Sequence, residues 1–221
     1  MQNFGLLSIT AAAAWTLSAE WAFAQNPPAR PPAQPTTQPV PQPGGRGGGG
    51  GGGGRGAVRI MSLTSPAFTD GGMIPMKHAQ AGHDVSPPLS WTGAPDSTHS
   101  FVLIVHDADA AIGDGTDDML HWMVWNIPGT ATSLAEGIKQ GTETPAMRQI
   151  SGTGPYYRGP AAPSTGPAHH YVFELYALDV PVNVAAVGLS AAATRAAVME
   201  VMRTHIRGKA VLVGLYRRPA P

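Results

Sequence analysis

Asp107, His121 and His169 are the residues of this 221-residue sequence whose types and order could do chemistry together. An imidazole can donate a hydrogen bond to an oxyanion or ligate a metal, and a carboxylate can accept from its second ring nitrogen and fix its orientation. Two histidines and one carboxylate are also the donor set of an open metal site, which makes a metal-dependent hydrolase the alternative to a simple binding site. HExxH is absent, as are G-x-S-x-G and any cysteine, so neither the metalloprotease pattern nor a covalent Ser or Cys route is encoded.

These groups need rigid elements to hold them. Phe101 to Val105 is a short, β-branched apolar run and predicts a buried strand that ends in the polar cluster His106–Asp109. A Gly/Asp/Thr loop follows; its Asp114, Asp117 and Asp118 hint at calcium but lack the glutamate and helices of an EF-hand. His121 to Asn126 predicts a second buried strand, in which alternation places His121 with Met123 and Trp125. Residues 130–168 read as irregular, and within them Gly152 to Pro163 is opened by glycine and stiffened by proline. Gly159 and the small residues after it would let backbone N–H groups approach an anion. His169 to Leu178 predicts a further strand, with His169 on the apolar face beside Tyr171 and Phe173, and His170 on the other with Glu174.

Around these elements, Arg59–Leu63 alternates as one half-buried strand, and Ser86–Trp91 reads as a proline-rich wrap pinned by Leu89 and Trp91. Ser190 is placed to cap a helix reaching about Ile206 and stopped by Gly208, before a last strand, Ala210–Tyr216. The fold class is mainly β, antiparallel, with helical cover near the C-terminus.

Eleven of the 28 glycines lie between Gly44 and Gly56, and eight of the 22 prolines between Pro27 and Pro43. Residues 1–24 have an apolar run, Phe4 to Ala19, and end in Ala22-Phe23-Ala24, a small-x-small cleavage pattern. They predict a signal peptide, export to the periplasm or outside, and no transmembrane span after cleavage. Residues 25–56 are Pro/Gln-rich and then Gly-rich, the composition of a disordered tether. Residues 57–221 are long enough for one folded domain. Net charge is zero, and the absence of a clustered basic patch argues against nucleic acid as a partner. No cysteine is present, so an exported domain must rely on its core without disulfides.

Four ordered motifs carry a resemblance: Ser86-Pro87-Pro88-Leu89-Ser90-Trp91, Asp107-Ala108-Asp109-Ala110, His121-Trp122-Met123-Val124-Trp125-Asn126-Ile127-Pro128-Gly129, and Gly159-Pro160 leading to His169-His170-Tyr171. Over about Met61 to Arg217 the chain resembles the phosphatidylethanolamine-binding protein family, also called Raf-kinase-inhibitor-like, in its bacterial branch. The resemblance implies a large central and a small peripheral antiparallel sheet, with a C-terminal helix and final strand. It implies a non-catalytic module that needs no cofactor and holds a small anionic or phosphoryl group, such as a phospholipid head group. The ligand residues it implies are Asp107, His121, Gly159, Pro160, Pro163, His169 and Tyr171, with Asp109, Trp122 and Trp91 structural. Inhibition of a kinase or protease partner is the other role the family name suggests. The chain departs from the family pattern at Ala108 and Ala111, where prolines are usual, at His170 for arginine, and at Ala161-Ala162. Losing the prolines loosens the turn by about 1 kcal/mol.

Overall fold

The computed structural model describes residues 57–112, 115, 117–140, 147–185 and 190–221. The predicted signal peptide, the tether and Asp114 lie outside the described residues. In chain order the strands are β1 (Arg59–Ile60), β2 (Ser62–Thr64), β3 (Gly72–Met73), β4 (Leu89–Thr92), β5 (Ser100–Ile112), β6 (Asp117–Pro128), β7 (Ser133–Leu134), β8 (Arg148–Ile150) and β9 (His169–Leu178). The helix α1 (Ala191–Met202) and the strand β10 (Ile206–Tyr216) complete the order.

The large sheet runs β1-β10-β9-β5-β6-β8, with β3 also on β10, and β2-β4-β7 form a small sheet. Pairing is antiparallel except where β1 and β3 join β10. The centre of the large sheet is buried on both faces, which is why Phe101–Val105 is an unbroken apolar run. On one face Leu103, Val105, Trp122 and Phe173 pack against Leu63, Leu89 and Trp91 of the small sheet. On the other, Ile104, Met123 and Trp125 pack against Val198 and Met202 of α1. The mainly β class, the two sheets and the late helix agree with the sequence reading.

Several local expectations are corrected. Arg59–Leu63 is not one strand, because the chain passes at Met61 from the large sheet to the small one. The segment ending at Trp91 is not wholly a wrap, since Leu89–Thr92 pairs with both β2 and β7. Residues 130–168 contain β7 and β8, two short edge strands without readable periodicity. Ser190 does cap α1, accepting from the Ala193 N–H at 3.2 Å, but the helix ends at Met202. Gly208 therefore stops nothing: it lies within β10 and packs beneath Met61, where a Cβ would approach the Met61 sulfur to 2.6 Å.

Two further differences shape the site. β5 does not stop at Val105 but carries His106–Asp109 along its length. Three bulges interrupt its pairing with β6. One shifts the register between Val105↔Trp122 and His106↔Leu120, so that His121 is the extra residue.

Candidate functional site

The bulge decides where His121 points. Strict alternation would send it toward Met123 and Trp125, on the α1 side. With one residue inserted, its ring instead meets Tyr171 edge-on, at 5.0 Å between centroids and 86° between planes. It is thereby brought to the face from which Asp107 and Tyr171, directly paired across β5 and β9, also project.

Asp107 is buried and saturated with donors. Its Oδ1 accepts the N–H groups of Asp109 at 3.0 Å and Ala110 at 3.1 Å. Its Oδ2 lies 2.9 Å from His169 Nδ1. The carboxylate thus holds the β5 bulge and orients His169 at once. The histidine it pairs with is His169, not His121. Asp109, expected to hold the turn, instead ties β5 to β9: its Oδ2 accepts the His170 N–H at 2.6 Å and faces His170 Nδ1 at 2.8 Å. Those contacts, the His170 N–H foremost, lower the Asp109 carboxyl below its ordinary range.

His121 Nδ1–H donates to two carbonyls, of Arg158 at 2.8 Å and Gly159 at 3.1 Å, while the Arg158 N–H donates back to the His121 carbonyl at 3.0 Å. In the neutral ring Nε2 is therefore the acceptor nitrogen. Burial, helped by the Arg158 charge, holds the imidazole below its ordinary value, against the carbonyls and Asp107, which favour the imidazolium. Burial and the nearby Asp107 push the Tyr171 phenol upward, so it stays protonated.

The loop amides are committed to the protein. Gly159 N–H donates to Asp84 Oδ1 at 2.6 Å, and Ala161 and Ala162 donate to the Tyr171 hydroxyl oxygen at 3.2 and 3.1 Å. Gly159 is required by close backbone approach rather than by an anion: a Cβ there would sit 2.2 Å from the His78 carbonyl oxygen. This corrects the expectation that these N–H groups point at a ligand.

Asp107, His121, His169 and Tyr171 converge, with Ala161, Ala162 and Pro163, on a cavity of about 210 Å³. Gly159 and Pro160 stand behind its wall, and Gln80, Met119 and Arg158 line it without having been singled out. Gln80 bridges to the loop, its side chain donating to the Gly159 carbonyl at 2.7 Å. Asp84, also missed, takes a positive φ of 54° to reach Gly159. No periodicity marks Gln80 or Asp84, whereas Arg158 directly precedes Gly159-Pro160 and could have been noticed. Trp122 stacks edge-on against Tyr157 behind the site, and Trp91 packs on Phe101 away from the cavity.

Among the described residues, no three His, Cys, Asp or Glu side chains are placed together to hold a metal ion. Asp107 and His169 meet through a hydrogen bond, and His121 turns its Nδ1 to carbonyls.

The model of the family described as phosphatidylethanolamine-binding protein matches residues 64–217, most of the chain. This chain belongs to the phosphatidylethanolamine-binding protein family. A UPF0098 protein of Methanothermobacter thermautotrophicus is 38% identical over 161 residues, covering 72% of this chain and 99% of that one. A second UPF0098 protein, from Pyrococcus horikoshii, is also 38% identical and covers 72% of this chain and 78% of its own. Among solved structures, a putative phosphatidylethanolamine-binding protein homologue of Chlamydia trachomatis is 32% identical with a TM-score of 0.58, covering 73% of this chain and 99% of that one. Escherichia coli YbcL, described as a member of the mammalian family, is 27% identical with a TM-score of 0.59, covering 72% and 98%. The two-sheet fold with one late helix is thus the family's fold.

Proposed function

We propose that the domain is a non-catalytic binding module for a small oxyanion, phosphoryl or carboxylate, seated in the His121–His169 cavity. The observation that carries this reading is the convergence of two imidazoles on a space of about 210 Å³. Each has its Nδ1 fixed by the protein, and neither has a partner for Nε2 among the described residues. That volume is below the usual range for drug-sized ligands and suits a head group. A chemical step is not favoured by the same geometry. The one hydroxyl on the wall, Tyr171, is held protonated, and no serine, cysteine or lysine lines the cavity. Family membership supports a binding role.

Neutral His121 offers the cavity a lone pair; protonated, it offers a charged donor. An anion therefore favours the imidazolium, and affinity rises as pH falls, by up to about tenfold per pH unit while one proton is taken up. Calorimetric titration of the full chain with sulfate, whose charge is constant between pH 8 and 5.5, reads this directly. Saturable binding that tightens toward pH 5.5 supports the proposal, and equal affinity at both ends removes His121 from it. O-phosphoethanolamine in parallel tests the phosphoryl preference.

We also propose export, resting on Phe4–Ala19 and Ala22-Phe23-Ala24. A mature mass beginning at Gln25 after expression with the native leader supports it, and an intact Met1 terminus in a cytoplasmic fraction contradicts it. No helix among the described residues is long and apolar enough to cross a membrane.

A further inference from the structure

The cavity wall carries one cationic side chain besides the histidines. Arg158 is half-buried on the cavity wall, the only Lys or Arg there among the described residues. Its backbone is fully used, the N–H and the carbonyl both going to His121. Its guanidinium makes no ion pair or side-chain hydrogen bond among the described residues, as is true also of the exposed Arg59 and Arg218, whereas Arg195, Arg203, Arg207 and Arg217 each have a partner. The loop N–H groups are spent: Asp84 takes that of Gly159, and the Tyr171 oxygen takes those of Ala161 and Ala162. Asp107 faces the same space, its carboxylate bonded to the Asp109 and Ala110 N–H groups and to His169.

We propose that Arg158 is the specificity-determining residue of this cavity, its guanidinium gripping two oxygens of one phosphoryl, sulfate or carboxylate group. A planar guanidinium matches two oxygens on one atom, and an ammonium does not. The charge on Arg158 is felt at His121, where it opposes protonation, so an anion bound between them relieves that opposition. The cavity therefore selects ligands by their oxyanion, and the amine of an ethanolamine group contributes little. This rests on the anion-binding reading above and assigns its charge.

The backbone bonds that orient His121 do not depend on the Arg158 side chain, so R158Q and R158K can be made without dismantling the site. Full chains would be titrated at pH 7 with sulfate, O-phosphoethanolamine and ethanolamine, while histidine ring signals are followed by NMR. We expect R158Q to weaken sulfate and O-phosphoethanolamine binding by at least about 30-fold. R158K recovers part of the loss, and wild type ignores ethanolamine. R158Q should also move the His121 titration midpoint upward while R158K, which keeps the charge, leaves it in place; loosening of the loop would raise it in both, because burial also holds it down. Wild-type binding matched by R158Q, with an unmoved His121 midpoint, overturns the role of Arg158 and leaves the anion cavity standing. Wild type that binds neither anion overturns both.

Discussion

At the scale of the residue, the site is a set of side chains whose obligations to the protein are almost all met. Asp107 shows the consequence. Replacing it by Asn keeps the shape but removes the charge that accepts two backbone N–H groups and faces His169. We expect D107N to cost about 1.5–3 kcal/mol in urea unfolding, the range for hydrogen bonds to a charged group. Gly159 is constrained by space. In G159A the new methyl would collide with the His78 carbonyl, displace the loop that anchors His121, and cost about 1–3 kcal/mol; urea unfolding together with loss of anion binding checks it. His121 sets a pH dependence of its own. Its folded value lies below the ordinary 6.5, so the unfolded chain binds the proton more readily. Its contribution to stability is intact above about pH 6.5 and is lost as pH falls below it. The urea midpoint should drop between pH 7.5 and 5.5, less so in H121Q and less so with saturating sulfate.

At the scale of elements, the strands explain what the sequence made legible. His169 was placed correctly by alternation because β9 pairs with β5 without a bulge from Ser100↔Leu178 to Asp107↔Tyr171. His121 was misplaced by the same rule because a bulge precedes Trp122, and no residue in Leu120–His121–Trp122 announces one. The loop amides are not legible for another reason: glycine and alanine grant access, but only the neighbours Asp84 and Tyr171 decide what takes it. The opposite face of β5 carries a chain of charges. His106 lies between Asp118, 2.6 Å from Nδ1, and Glu174, 3.5 Å from Nε2. Arg195 of α1 pairs with Asp118, and Lys209 of β10 with Glu174 at 2.7 Å. The His106 contact above all, with Lys209, draws Glu174 down to about 2. A depressed carboxylate stabilises above its unfolded value and ceases to as pH falls through the folded one. Unfolding free energy should therefore decline between about pH 4.5 and 2, by at most about 3 kcal/mol from this group, and E174Q should flatten that decline. Met202 anchors α1 to the same face, and M202A should cost about 2–5 kcal/mol in urea unfolding.

At the scale of the whole molecule, the layers divide the labour. The small sheet and α1 cover opposite faces of the large sheet, so the strands that carry Asp107, His121 and His169 are held from both sides. The cavity lies over Asp107 of β5, His121 of β6 and the start of β9, where the Tyr157–Pro163 loop crosses them, and its two imidazoles are fixed by the Arg158 and Gly159 carbonyls and by the Asp107 carboxylate. Fold and family were legible because four motifs recur in order over most of the domain. The charge that reads the ligand was not, because a lone arginine in a Gly/Pro loop has no pattern to mark it.

Whether an oxyanion sits between His121 and His169 is read from the histidine ring signals of the full chain during titration with O-phosphoethanolamine. We expect saturable shifts at His121 and His169 with one common dissociation constant, and none at His205, whose Nδ1 pairs with Asp179 at 2.8 Å. Unmoved His121 and His169 signals at millimolar ligand, or shifts confined to other histidines, would contradict it.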